Sequence, residues 1–386
     1  MKKLKIMWLH SHLSFPSGGT KYVLKTINEL SKNHNIDLYV QKTTPQFEQL
    51  FKKDGINITT MGKYSTGDIL FWLNFSRQIK NEIKFLKNRA KNYDVVVSSM
   101  FPMNFIANSL NLPHLQSCFQ PFAFFWDPLM IEKLPILKRL FLYFIRSKFG
   151  KLDLASTNQS HKILTINNGS KKSILQIYRK DSIPTFMGVD VHEIINLEIE
   201  KKYVGKKIIL HSTDWTPLKK TSWLIQQFRL IQKKYPDVVL LITEPKIDPI
   251  LKRTELVKIK KDAIENIEFL GTVPSDVLPQ YYALADIVVY PGFGSGITTS
   301  LFVLECMAYE TPAIVSNDAS EDVEAGKTGL VFTTDDEFQK CVLTLLSNDD
   351  MRLTLGKQAR AYVLQKHSWS NVAKIFETQC LEIIEK

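Results

Sequence analysis

Twice along this chain, short apolar runs alternate with stretches of helical spacing, and that alternation admits little besides open parallel sheets flanked by helices. In the first half the strand-like runs are Leu4–Leu9, Ile36–Val40, Asp94–Ser98, His114–Ser117, Ile163–Ile166 and Ile183–Phe186. A helix from about Lys21 to Ser31 follows the first of them, and one long helix is expected over Asp68–Arg89. The second half reads Lys207–Ser212, Val238–Thr243, Ile267–Leu270, Ile287–Tyr290, Ala313–Ser316 and Leu330–Phe332, with helices such as Leu224–Lys234, Val277–Ala285 and Thr299–Tyr309. A chain of 386 residues exceeds one ordinary core. The charged stretch Glu193–Lys207 separates the two series, which sets domains at 1–195 and 196–365 and a closing segment at 366–386. The expected architecture is α/β, with the carboxyl ends of two parallel sheets facing a central cleft that holds the ligand.

The charge is unevenly spread. Residues 1–190 carry 27 Lys and Arg against 12 Asp and Glu, a net of +15, whereas 191–386 carry 23 against 27, a net of −4. Such a field draws an acidic partner to the first half: anionic lipid headgroups or a phosphorylated acceptor. No nucleic-acid-binding module is visible, so nucleic acid is set aside. Residues 129–149 interleave Lys133, Lys138, Arg139, Arg146 and Lys148 with Leu137, Leu140, Phe141, Leu142, Phe144 and Ile145, a pattern suited to a membrane interface or to a core helix with a basic outer face. No run of about 18 apolar residues would span a bilayer. The apolar stretch Ile6–Leu9 is too short for a signal sequence and reads as a first strand. Cys118, Cys306, Cys341 and Cys380 are scattered without a C-x-x-C pair, which suits a reducing, cytoplasmic compartment.

Three loops draw attention. Ser14 to Thr20 follows the first strand and contains Gly18-Gly19, which allow a phosphate to approach the backbone at a helix start or form an ordinary turn. Ser212 to Thr221 places Lys219 and Lys220 where cations sit poorly unless an anion compensates. Tyr290 to Ala308 ends a strand in three glycines, Gly292, Gly294 and Gly296. Thr298, Thr299 and Ser300 then offer an N-cap, and the loop can present free backbone N–H groups to an anion. Glu305 stands within an otherwise apolar Leu301–Ala308 and calls for a hydrogen-bonding partner, such as a ligand hydroxyl pair. Asp318, Glu321, Asp322 and Glu324 read as a solvated acidic turn rather than a metal cluster. His10 and His12 lack the company a metal needs and suit a substrate hydrogen bond or a structural role.

Taken in order, these stretches resemble the retaining glycosyltransferases of family 4, of GT-B architecture with two Rossmann-like domains. The likeness rests on Gly18-Gly19; Met187-Gly188-Val189-Asp190; the Lys219 segment; Phe269 to Pro274 with Leu278, Tyr282, Ala285-Asp286 and Pro291; Leu304 to Ala308 with Thr311 to Ile314; Glu321 with Gly326 to Leu330; and Trp369 with Ala373. The resemblance implies that Glu305 accepts the ribose hydroxyls of a nucleotide-diphosphate sugar and that Lys219 neutralises the departing diphosphate. It implies that Gly18 and Gly19 leave room for donor phosphate and acceptor, and that the backbone at Thr272 and Val273 faces the base. Gly294, Ser295, Gly296, Thr298, Thr299 and Ser300 would line the diphosphate, with Asp214 beside them. The final helix would cross back to the first domain.

Four positions depart from the family pattern. Ile297 stands where a sugar-facing glutamate is usual, Asp214 replaces an arginine, Lys21 replaces a glutamate, and the family's first-domain histidine falls near Phe119 or Gln120. The implied activity is transfer of a sugar to a saccharide or lipid-linked acceptor in surface glycan or glycolipid synthesis. It would need no metal and no cofactor, with the leaving phosphate taking the acceptor's proton. A peripheral position at the inner face of a membrane fits the basic first half. The alternatives are a nucleotide-sugar epimerase of the same fold, and a non-catalytic partner subunit that binds a nucleotide sugar, which the changes at Ile297 and Asp214 favour.

Overall fold

The computed structural model describes residues 3–13, 18–53, 55–132, 134–190, 203–213, 219–244, 260–261, 265–274, 276–292 and 300–385. The chain divides into two compact units, Met1–Gly188 with Trp369–Lys386, and Val189–Ser368.

The first unit holds β1 (Lys5–Leu13), β2 (Asn35–Thr43), β3 (Asn57–Thr60), β4 (Val95–Ser99), β5 (His114–Ser117), β6 (Lys162–Thr165) and β7 (Ile183–Pro184). They form one parallel sheet in the order β3-β2-β1-β4-β5-β6-β7. Its centre is buried on both faces. Leu4, Ile6, Trp8 and Leu13 pack on one side with the helix Gly18–Ser31 and the final helix Trp369–Ile384; Met7 and Leu9 pack on the other with Phe71, Trp72 and Phe75. Burial on both faces explains why these strands read as continuous apolar runs.

The final helix is keyed in by Trp369, whose ring meets Tyr22 at 6.0 Å. A Cβ on Gly188 would come within 2.8 Å of the Trp369 Cγ and Cε3 atoms, so only glycine lets the chain pass this indole. The long helix expected over Asp68–Arg89 is broken into Ile69–Leu73 and Phe75–Ala90. Between them Asn74 turns its amide back to the Leu70 carbonyl at 2.9 Å, a local bond that competes with helix continuation.

The second unit holds β8 (Lys207–Ser212), β9 (Val238–Thr243), β10 (Ile267–Phe269), β11 (Ile287–Tyr290), β12 (Ala313–Ser316) and β13 (Gly329–Phe332), parallel in the order β10-β9-β8-β11-β12-β13. In both sheets the chain reverses direction of growth between two neighbouring strands, β1 and β4 in one and β8 and β11 in the other. Such a switch point opens a crevice at the carboxyl ends of the strands, where ligands of open α/β sheets bind.

Candidate active site

In the second unit the switch point lies between β8 and β11, which pair through Ile209 with Ile287 and Leu210 with Val288. The end of β8 is held by His211, fully buried, whose Nδ1 lies 3.0 Å from the Val289 carbonyl and whose Nε2 lies 2.9 Å from Thr221 Oγ1. A carbonyl can only accept, so Nδ1 carries the proton and Nε2 accepts from the threonine. This imidazole ties two strands to the first residue of the helix Thr221–Gln232.

Lys219 precedes that helix and reaches across the switch point. Its Nζ donates to the Tyr290 hydroxyl at 2.8 Å and sits 5.3 Å from the centroid of the same ring. Tyr290 is the last residue of β11 and only 2% exposed, so the phenol is a fixed post. Lys219 itself is half-buried, and among the described residues it makes no ion pair. The arrangement holds a cation at the carboxyl end of the sheet by a neutral hydroxyl, a place suited to an anion. Beside it, Ser316 Oγ donates to the Gly292 carbonyl at 2.7 Å and fixes the exit of β11.

Glu305 lies on the helix Leu301–Ala308, whose other side chains are buried except Leu301. Its own side chain is half-buried, and Oε2 accepts a 2.8 Å hydrogen bond from the Tyr282 hydroxyl. Burial, and then the charge of Glu305, push the Tyr282 phenol well above its ordinary range, so it stays a donor. The same two causes raise Cys306, a buried and inert thiol. Ser300 occupies the N-cap position of this helix but its side chain makes no cap hydrogen bond. Thr272 is exposed and Val273 half-buried just after β10, where Gly271 takes φ +67°, a left-handed turn that a Cβ would strain. Asp214, Gly294, Ser295, Gly296, Ile297, Thr298 and Thr299 lie outside the described residues.

In the first unit Gly18 and Gly19 form the first turn of their helix rather than a turn before it, Gly18 exposed and Gly19 half-buried. No atom lies within 4 Å of a Cβ built on Gly18. His10 and His12 share the end of β1, ring centroids 6.5 Å apart. Burial, helped by the nearby His12, lowers His10 to about 3; His12 is also lowered by burial, against the pull of Asp68. Both are therefore neutral near pH 7. Lys42, paired in register with His12, is bound to Asp68 at 3.0 Å.

The acidic turn departs from expectation at one residue. Asp322 is 2% exposed, not solvated, and accepts from Lys366 Nζ at 2.8 Å, His367 Nε2 at 3.1 Å and the Tyr362 hydroxyl at 3.2 Å. Burial pushes its carboxyl up, but the bonds and charges of His367 and Lys366 outweigh that and hold it well below the usual range. Among the described residues no group of three or more His, Cys, Asp or Glu could hold a metal ion. His211 carries no motif of its own, and although Tyr282 and Tyr290 stand in segments singled out above, their bonds to Glu305 and Lys219 appear only in the packed structure.

Residues 205–348 match the family model for glycosyl transferases group 1. An uncharacterized glycosyltransferase of Methanocaldococcus jannaschii is 24% identical over 361 residues, covering 88% of each chain. The alpha-monoglucosyldiacylglycerol synthase of Acholeplasma laidlawii is 31% identical over 166 residues, 42% of this chain and 40% of that one. A glycosyltransferase domain protein of Xenopus tropicalis is likewise spanned over less than half its length, 46%. Among solved structures, a glycosyltransferase of Rickettsia africae superposes with a TM-score of 0.76 over the whole of both chains at 16% identity. An Anabaena protein solved with UDP and glucose reaches 0.72 over 98% of this chain at 13% identity, a likeness of fold.

Proposed function

We propose that this chain, whose fold is GT-B and whose residues 205–348 match the model for glycosyl transferases group 1, moves a sugar from a nucleotide-diphosphate donor to a saccharide or lipid-linked acceptor with retention of anomeric configuration. The observation that carries the reading is Lys219, held by the neutral Tyr290 hydroxyl across the switch point of the second sheet and without an ion pair among the described residues. In the proposed reaction the bond between the sugar C1 and the diphosphate breaks and a C1–oxygen bond to the acceptor forms on the same face. The acceptor's proton passes to a phosphate oxygen. Lys219 stabilises the charge growing on the departing diphosphate, and a cation already in place costs no reorganisation at that moment.

Glu305, whose Oε2 accepts from the Tyr282 hydroxyl, takes the ribose hydroxyls, and the turn at Thr272 and Val273 borders the base. The reading assigns Asp214 and the loop from Gly294 to Ser300 to the diphosphate, and gives Gly18 and Gly19 the role of leaving room for donor phosphate and acceptor. The reading needs no metal, because it assigns the leaving charge to protein groups. Acceptors in surface glycan or glycolipid synthesis fit the net +15 of the first half, as does a peripheral position at the inner, cytoplasmic face of an anionic membrane. Among the described residues no helix is long and apolar enough to cross a membrane.

The test is nucleotide release from UDP-, GDP- and ADP-sugars, with and without membrane extract. Release that rises with extract and collapses in Glu305→Ala supports transfer. Saturable nucleotide binding without turnover under any acceptor condition favours a non-catalytic subunit and makes Ile297 and Asp214 the reasons.

A further inference from the structure

Thirteen large apolar side chains stand exposed among the described residues, and they are not scattered: five lie between Ile136 and Phe144 and three on Ile69–Leu73, all in the first unit. Ile136, Leu137, Leu140, Tyr143 and Phe144 belong to the helix Ile136–Gln159, with Leu137 at 78% and Phe144 at 63% exposure. At 3.6 residues per turn these five fall within an arc of about 120°. Opposite them Leu142, Ile145 and Phe149 are buried in the aromatic core, Phe149 lying 4.4 Å from Phe75 and 5.4 Å from Trp72. The helix is therefore apolar on both faces, and among the described residues only one face is packed.

Basic residues edge the exposed stripe, and Lys151 continues its line further along the helix. Lys148 borders one edge and Arg139 with Arg146 the other. Arg146 stacks its guanidinium 4.9 Å over Trp126, which presents the cation sideways. From Leu134 to Leu152 there are five basic residues and no acidic one. The unit that carries the helix holds 29 Lys and Arg against 14 Asp and Glu. An apolar stripe edged by cations matches a surface that is apolar inside and anionic at its rim. A second copy of this chain fits poorly, since stacking two such faces would bring their basic edges together.

We infer that the exposed stripe Ile136–Phe144 is the membrane-docking element of the protein: it lies in the plane of an anionic bilayer, Leu137, Leu140 and Phe144 entering the acyl boundary and Arg139, Arg146, Lys148 and Lys151 meeting headgroup phosphates. The inference rests on the lipid-linked acceptor reading for its purpose, and it names the surface that would bring the acceptor-binding unit to its substrate. The Ile69, Leu70 and Leu73 side chains of the neighbouring short helix form a smaller apolar patch on the same unit.

The experiment is co-sedimentation with sucrose-loaded vesicles of phosphatidylcholine alone or mixed with phosphatidylglycerol. Wild-type protein is expected to sediment with the mixed vesicles and to stay in the supernatant with the neutral ones. Leu137→Glu/Phe144→Glu should lower the bound fraction about tenfold or more at fixed lipid. Lys148→Gln/Lys151→Gln should lower it less and flatten its salt dependence. All four side chains are exposed, so the melting temperature and donor-nucleotide binding in solution should stay at wild-type values. Wild-type protein that ignores anionic vesicles overturns the inference. So does vesicle binding that survives the Leu137/Phe144 change, or a dimer that this change dissolves without any vesicle binding. Failure to bind any nucleotide would instead strike the glycosyltransferase reading and leave the vesicle result standing.

Discussion

Replacing Tyr290 with phenylalanine removes one oxygen and nothing else from the described site. The ring, 2% exposed, keeps its place at the end of β11, so no cavity opens. What is lost is the 2.8 Å hydrogen bond that fixes the Lys219 ammonium. Hydrogen bonds to charged groups contribute about 1.5–3 kcal/mol when buried. Lys219 is half-buried, and solvent screening brings the figure to about 1 kcal/mol. At about 1.4 kcal/mol per factor of ten, Tyr290→Phe should lower kcat roughly fivefold with donor KM little changed, because the lysine acts on charge that develops during departure. Lys219→Ala deletes the cation and should cost about 10²–10³ in kcat. The assay is steady-state nucleotide release with the best donor, run beside thermal melting to show both variants folded. Tyr290→Phe at wild-type rates, with Lys219→Ala disabled, would refute the claim that the phenol positions the lysine. Equal losses in both would show that the hydroxyl meets the donor itself.

Tyr282→Phe frees Glu305 from its 2.8 Å partner and should weaken donor-nucleotide binding about three- to tenfold, less than Glu305→Ala, by titration calorimetry. Gly188→Ala drives a methyl against Trp369 and should destabilise the first unit by about 1–3 kcal/mol, read as a lowered Tm. His10 and His114 are each lowered by burial to about 3, while unfolded imidazole titrates near 6.5. The unfolded chain thus binds more protons below pH 6.5, and stability falls with pH by about 1.4 kcal/mol per unit per histidine. Glu82, raised by burial to about 7, opposes this over the same window, so the test is a difference: in urea unfolding at pH 7 and pH 5, His114→Gln should lose less stability than wild type by about one histidine's share. Asp322, held low, acts at more acid pH: its contribution is present above the ordinary carboxylate pKa and vanishes as pH falls through the folded value, so Asp322→Asn should flatten the acid limb of the Tm profile.

Much of the fold was legible because its strands are buried on both faces and so appear as uninterrupted apolar runs, such as Val95–Ser99 and Ile287–Tyr290. The second unit was read from motifs as well as runs, and four of the seven segments quoted for the family resemblance lie wholly within it. What periodicity does not carry is a local hydrogen bond that breaks a helix, as at Asn74, or a helix that starts three residues early, at Gly18. Contacts between distant residues were hidden for a different reason. Lys219 meets Tyr290 only because β8 and β11 are neighbours, and strand order is not written in either segment. Asp322 looked like a surface acid because its partners, Tyr362, Lys366 and His367, lie at least 40 residues further on. The exposed stripe on Ile136–Gln159 was half legible: its basic and apolar residues were plain, but which apolar face was covered required the packing of Phe149 against Phe75.

The central claim is that the second unit binds a nucleotide-diphosphate sugar with Lys219 on the diphosphate and Glu305 on the ribose. Titration calorimetry of wild type, Lys219→Ala and Glu305→Ala against UDP, GDP and ADP, each beside its nucleoside, tests it most directly. The account predicts that wild type prefers one diphosphate to its nucleoside. Lys219→Ala should erase that preference, and Glu305→Ala should weaken nucleoside and diphosphate alike. Binding of a diphosphate that neither substitution changes would contradict the account.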